Sequence, residues 1–246
     1  EILPVPVDDN GLDITSGIQN YPDARFALIT PAHQSPLGVA LSLARRHQIL
    51  EWADRSQAWI IEDDYDSEFR YHGKPLPALK SLDAPQRVIY AGTFSKALFP
   101  ALRCAWLVLP VKQIAQFRHQ ASLAPCAVPV LWQNTLADFL REGHFWRHLK
   151  KMRQHYAQRR QWIEQALTQQ GFQVVPQKGG IQMVIRMIGD DIAHARKANA
   201  AGLAVQALSD WRIRSSGEGG LLLSFTNIVN EGMARQVAQQ LRKALS

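Results

Sequence analysis

The sequence predicts an α/β fold: a larger domain with a mostly parallel sheet over residues 1–142, then a connecting helix and a smaller α+β domain over 143–246. Three observations support this. Short apolar runs at 26–30, 58–61, 87–91 and 105–109 alternate with helical stretches. One long helical pattern over 143–170 carries Phe145, Leu149, Met152, Tyr156 and Ile163 along one side. Beyond Gly171 short strands and helices follow one another closely.

Taken in order, 4–13 mixes proline, aspartate and glycine with short apolar pieces and reads as a strand and a turn. Residues 26–30 (FALIT) read as a short buried strand, ending in a polar loop. Ser35 and Pro36 fit the N-cap and first position of a helix running to about Ser56, with Leu37, Leu41, Ala44, Gln48 and Trp52 along one side. The run 58–61 then ends in the acids Glu62, Asp63, Asp64 and Asp66. Gly73, Pro75, Pro77 and Pro85 exclude a regular element over 69–85. Residues 111–121 read as helical, Pro125 and Pro129 bracket a break, and 130–141 is helical again. In the C-terminal part, strands are expected near 173–175, 181–186, 203–206 and 221–225, and helices near 190–201 and 230–245. No internal repeat or low-complexity segment is seen.

The 246 residues are 46% hydrophobic, enough for a proper core. Cys104 and Cys126 lie in apolar contexts without metal-ligand spacing, so free thiols in a reducing compartment are expected. There is no signal peptide and no membrane-length apolar run, and the expectation is a cytoplasmic protein with no membrane partner. The net charge is +7 and the pI about 9.6, which raises nucleic acid as a partner. Much of that charge sits at helical spacing over 141–160, however, where a solvated helix face explains it. No helix-turn-helix or zinc pattern is present.

The stretch 87–110 (RVIYAGTFSKALFPALRCAWLVLP) is the most informative. It places Lys96 in a short polar turn between two apolar runs. A lysine just beyond a strand end lies where open α/β sheets bind ligands. Its amine attacks carbonyls once deprotonated, which burial and nearby cations promote. Thr93, Ser95 and Arg103 stand close by in sequence as potential phosphate ligands. The acidic cluster after 58–61 offers a carboxylate for a cationic ligand.

TFSKALFPALR resembles the Schiff-base motif of fold type I pyridoxal-5′-phosphate-dependent proteins, the aspartate aminotransferase family. EDDYDSEFRY, TPAHQSPLG and HLKKMRQHYAQRR look more specifically like the MocR group, bacterial GntR-type regulators with a helix-turn-helix domain fused to an aminotransferase-like domain. The resemblance covers nearly the whole chain, with the motifs in order.

This resemblance implies pyridoxal 5′-phosphate as cofactor, bonded covalently to Lys96. Asp63 would pair with the pyridine nitrogen, Tyr65 would hydrogen-bond the phenolic oxygen, and Thr93 and Arg103 would hold the phosphate. His33 and Gln34 would lie near the phenolic side of the ring. The loop 69–85 would lie near a homodimer interface. The opening ILPVPVDDNGLDI falls mid-protein in the family, so the chain is expected to be a fragment, without the DNA-binding domain and without the first part of the cofactor domain.

Two departures from the family pattern bear on activity. Catalytic members hold the substrate carboxylate with an arginine in a phrase resembling L-R-L-G-F; here the phrase is LLLSF and that position is Leu222. Arg212 or Arg214 lies close enough in sequence to substitute. Gln182 stands where histidine is frequent, and Cys104-Ala105 replaces Leu-Gly. The resemblance therefore implies a sensor domain for a small-molecule effector or amino acid, with DNA bound only through an N-terminal domain. An active aminotransferase is the alternative reading, and an inert truncation a third.

Overall fold

The computed structural model describes residues 1–124, 128–213 and 217–246. These fall into two compact units. One comprises 1–34, 39–68 and 74–149, the other 35–38, 69–73 and 150–246.

The first unit opens with a small antiparallel hairpin, β1 (Val7–Asp8) and β2 (Gly11–Leu12), and a short helix α1 (Ile14–Asn20). Its main sheet has the order β3 (Phe26–Ile29), β4 (Trp59–Asp64), β5 (Val88–Thr93), β6 (Ala105–Val108). The first three strands are parallel and β6 is antiparallel to β5. A parallel return needs a crossover of a dozen or more residues. The connection 94–104 is too short for one, so the chain turns back antiparallel.

Helix α2 (Leu43–Arg55) covers one face and buries Ile49, Leu50, Trp52 and Ala53 against Ile29, Ile60 and Val88. It starts later than the sequence suggests. Gly38 lies at φ +74°, outside helical backbone, and Ser42 is the residue that caps the helix, accepting from the Arg45 N–H. The buried face also differs from the expected stripe: Ala44 is exposed, whereas Arg46 is buried. Arg46 is tolerated there because Nε donates to the Leu41 carbonyl (3.0 Å), Nη1 to Pro77 (2.7 Å) and Nη2 to Pro31 (3.0 Å). Strand β3 is buried on one side only. Phe26 and Leu28 are 63% and 70% exposed, contrary to the reading of 26–30 as a buried strand. Helices α3 (Ile114–Leu123) and α4 (Val130–Arg141) follow.

Helix α5 (His144–Gln169) begins in the first unit and continues in the second. The second unit has an antiparallel sheet of order β7 (Gln173–Val174), β8 (Gln182–Met187), β10 (Gly219–Ser224), β9 (Val205–Ala207). Helices α6 (Asp191–Ala200) and α7 (Glu231–Leu245) complete it. Met183 and Ile185 join Ile163, Leu167 and Leu241 in its main core, while Val184 packs with Leu208 and Leu222. The central strands are thus covered on both faces, which is why their sequences (MVI, LLL) are continuously apolar. Cys104 is buried; Cys126 and Pro125 lie outside the described residues. Among the described residues no helix is long and apolar enough to cross a membrane.

Gly92 shows how tightly the first unit is built at the end of β5. A Cβ there would lie 2.3 Å from the Trp106 ring. Gly92→Ala is therefore expected to lower stability by about 1–3 kcal/mol, the usual cost of overpacking. Urea unfolding followed by tryptophan fluorescence checks this, and an unchanged midpoint would contradict it.

Candidate functional site

Parallel register brings the sequence-predicted residues to one edge of the first unit's sheet. Ile29 lies opposite Glu62, Asp63 opposite Ala91, and Thr93 opposite Ala105. The carboxyl ends of β3, β4 and β5, and the start of antiparallel β6, therefore share that edge. His33 and Gln34 follow β3, Asp63 closes β4 with Asp64, and Tyr65 comes next. Thr93 ends β5, Lys96 is three residues on, and Arg103 precedes β6. This is the edge at which open α/β sheets bind ligands.

Alternation along β4 sorts the acids, because successive side chains point to opposite faces. Glu62 and Asp64 share a face and both are occupied. Glu62 is buried and accepts the Leu79 and Lys80 N–H groups at 2.7 and 2.8 Å. Burial raises its pKa, and those two N–H groups oppose the rise. Asp64 accepts the Ser67 hydroxyl at 2.7 Å and the Tyr90 hydroxyl at 2.8 Å. Burial, then the Asp64 charge, pushes Tyr90 above the ordinary phenol range. Asp63 alone faces the other way. Its carboxylate accepts no hydrogen bond among the described residues. Burial, followed by repulsion from Asp64 and Asp66, holds its pKa above the usual carboxylate value.

Asp66 is 2% exposed and lies 3.1 Å from His33 Nδ1, which is also 3.1 Å from the Tyr65 hydroxyl. A carboxylate can only accept, so Nδ1 carries the proton. The Tyr65 oxygen accepts from the same N–H, and its own proton is directed away from His33. The other ring nitrogen, Nε2, is buried without a partner among the described residues. Gln34 donates its backbone N–H to the Val39 carbonyl at 2.9 Å.

The Lys96 turn is closed by the Leu98 N–H donating to the Phe94 carbonyl at 2.8 Å. Phe94 is buried between the rings of Trp106 (4.5 Å) and Phe145 (5.6 Å, edge to face). The Thr93 hydroxyl accepts from the Ser95 N–H at 3.1 Å. Lys96 itself is exposed. The apolar residues of the turn take the interior positions and leave the lysine outside. Arg103 lies at φ +50°, ψ 31°. Left-handed backbone costs a non-glycine residue roughly 1–2 kcal/mol, so Arg103 is held there by its surroundings. The side chains of Lys96 and Arg103 make no hydrogen bond or ion pair among the described residues.

In the second unit, Leu222 is 2% exposed on β10, opposite Val184 and Gln206, and packs with Val184 and Leu208. Arg212 donates to the Glu218 carbonyl of its own loop. Arg214 lies outside the described residues. Gln182 starts β8, opposite Ser224.

Sequence reasoning missed the supporting roles of Arg46, Glu62, Asp66 and His148, the last bonded through Nε2 to the Ala97 carbonyl. Of these, Glu62 and Asp66 carried a signal as members of the acidic run, each two residues from Asp64.

Residues 3–217 match the aminotransferase class I and II family. The chain belongs to that family. Over 99% of its length it is 35% identical to the probable rhizopine catabolism regulatory protein MocR of Rhizobium meliloti, covering 50% of that protein. Over 100% of its length it is 32% identical to the pyridoxine biosynthesis transcriptional regulator PdxR of Corynebacterium glutamicum, a helix-turn-helix-type protein, covering 53% of it. The chain thus spans about half the length of these curated relatives. Among solved structures it is similar to the α-aminoadipate aminotransferase LysN of Thermus thermophilus, crystallised with N-(5′-phosphopyridoxyl)-L-leucine. The TM-score is 0.87 at 25% identity, with 100% of this chain and 65% of that chain covered.

The raised pKa of Asp63 makes a prediction with a definite sign. A carboxyl whose folded pKa exceeds its unfolded value contributes most below the unfolded value, about 3.9. That contribution is lost as pH rises through the folded pKa. Cofactor-free Asp63→Asn should therefore be more stable than wild type at pH 7, by a margin that shrinks toward pH 4. Urea unfolding across that range checks it, and a margin that grows toward pH 4 would contradict it.

Proposed function

We propose that the chain is the pyridoxal-phosphate-binding effector domain of a MocR-like, GntR-family transcriptional regulator. The observation that carries this reading is the set of uncommitted groups on the sheet's carboxyl edge. An amine (Lys96), a guanidinium (Arg103) and a carboxylate (Asp63) each stand there without a polar partner among the described residues, beside the hydroxyls of Thr93, Ser95 and Tyr65. This set complements a molecule with an aldehyde, a phosphate, a basic ring nitrogen and a phenolic oxygen, so the residues fit pyridoxal 5′-phosphate. The phosphopyridoxyl ligand of the similar LysN structure agrees with that.

In this reading Lys96 holds the cofactor covalently, and Arg103 and Thr93 bind the phosphate. The Asp63 carboxylate keeps the ring nitrogen protonated. Tyr65, its oxygen already engaged by His33, donates toward the phenolic oxygen, and His33 and Gln34 line that side. Bound there, the cofactor supplies an electrophilic carbon for amines and an electron-withdrawing ring.

Sensing without turnover is favoured over the aminotransferase reading by Leu222. A leucine buried among Val184 and Leu208 offers an incoming carboxylate no charge. Arg212 is committed to its own loop. An effector amino acid or other small molecule would then change the domain's conformation rather than be consumed. The parent protein is proposed to be a cytoplasmic homodimer that binds DNA through a separate N-terminal helix-turn-helix domain, in keeping with its similarity to PdxR, a helix-turn-helix-type regulator.

Adding pyridoxal phosphate should give a visible absorbance band, and borohydride should fix the adduct on Lys96. Lys96→Ala should lose both. Absence of the band in this chain and in the full-length regulator would contradict the proposal. Catalytic release of a keto acid from an amino acid would replace the sensor reading with the enzyme reading.

A further inference from the structure

We infer that His148 is a positioning residue for Lys96. It acts from helix α5, outside the cofactor motif. The His148 Nε2 lies 2.9 Å from the carbonyl oxygen of Ala97, 51 residues away in sequence. A carbonyl only accepts, so Nε2 carries the proton and donates. Ala97 is 2% exposed and adjoins Lys96 in the chain. Its carbonyl takes no part in the turn's own hydrogen bond, which runs from Leu98 N–H to Phe94. The turn carrying Lys96 is therefore held twice, once internally and once from α5.

Phe145 completes the grip from α5, and Leu149 extends the buried face of the helix. Phe145 is buried and meets the Phe94 ring edge to face at 5.6 Å, and Leu149 is 1% exposed. Positions 145, 148 and 149 are spaced three and four apart and lie on one helix face. That face presents an apolar wall with one donor in it. The wall fixes Phe94, and the donor fixes the peptide between Ala97 and Leu98. Lys96, exposed and without a partner of its own among the described residues, takes its direction from the backbone on either side of it. A lysine that must meet an aldehyde at one place gains from such a fixed backbone. His148 bonds to the Ala97 peptide and not to the reacting amine, so it positions and does not catalyse.

This inference rests on the proposed role of Lys96, and the test separates the two. His148→Phe keeps an aromatic ring but removes the donor, and His148→Gln keeps a donor of similar reach. The first measurement needs no cofactor: hydrogen exchange of the Leu98 amide, which closes the turn. In His148→Phe that amide should exchange about tenfold faster, equivalent to ~1.4 kcal/mol of local opening, and in His148→Gln within about twofold of wild type. The second measurement is the rate at which pyridoxal phosphate becomes borohydride-fixed on Lys96. It should fall about tenfold in His148→Phe and recover in His148→Gln. Wild-type exchange and capture in His148→Phe would overturn the inference, as would a His148→Gln protein as impaired as His148→Phe. If His148→Phe fails to fold, His148→Gln decides alone: near-wild-type exchange and capture support the inference, and loss of either overturns it. If wild type captures no cofactor, the reading of Lys96 falls, and exchange at Leu98 still decides whether His148 holds the turn.

Discussion

The site edge depends on one buried cation. Arg46 lies 3% exposed on α2 and gives its guanidinium to three backbone carbonyls, those of Pro31, Leu41 and Pro77. Each belongs to a segment with no ladder to hold it. Pro31 begins the loop that carries His33 and Gln34, Leu41 precedes α2, and Pro77 leads into the turn capped by Glu62. Burial lowers the Arg46 pKa and raises that of Glu62, and each charge partly offsets the other's shift. A neutral side chain at 46 would leave the Leu41 and Pro77 carbonyls to find other donors, while Pro31 would keep only the Leu41 N–H. Irregular segments at this edge thus owe their fixed form to a residue that resembles a surface arginine in the sequence.

Hydrogen-bond satisfaction also separates supports from candidates for chemistry. Two buried acids of the first unit have their bonds filled. Glu62 takes two N–H groups, and Asp83 takes the Arg87 and Val88 N–H groups and the Lys80 ammonium. Lys80 shows what a structural lysine looks like here: it is bonded to Asp83 and to the Val88 carbonyl, each at 2.8 Å. Lys96, Arg103 and Asp63 are the contrasting case. A half-buried carboxylate with neighbouring carboxylates and no donor is costly in the cofactor-free protein, and such cost concentrates where a ligand offsets it. The left-handed Arg103 is a second local cost at the same edge.

Much of this was legible in the sequence because it is local. Helix α4 falls where its pattern places it, and α5 and α7 within a residue or so, since apolar spacing and flanking prolines or glycines are short-range signals. The candidate site residues were legible as short motifs at strand ends, and parallel register brings those ends to one edge. What was not legible is long-range. The sequence reading puts the N-cap at Ser35, and only the positive φ of Gly38 and the Arg46 network move it to Ser42. The exposure of Phe26 and Leu28 depends on what covers the sheet, which alternation within β3 cannot tell. Which side of the Lys96 turn faces the interior is set by Phe94 and Ala97, which are buried and leave the lysine outside, and the motif alone does not show this. His148 lies 51 residues from Ala97, and Asp66 lies 33 from His33. No spacing rule connects either pair.

The central claim is that Asp63 is the carboxylate left over for a cationic ring nitrogen. The most direct measurement is the 15N resonance of ring-labelled pyridoxal phosphate bound to the protein. A protonated ring nitrogen in wild type at pH 7, becoming unprotonated in Asp63→Asn, is the result this account predicts. A ring nitrogen in the same protonation state in both proteins would contradict it.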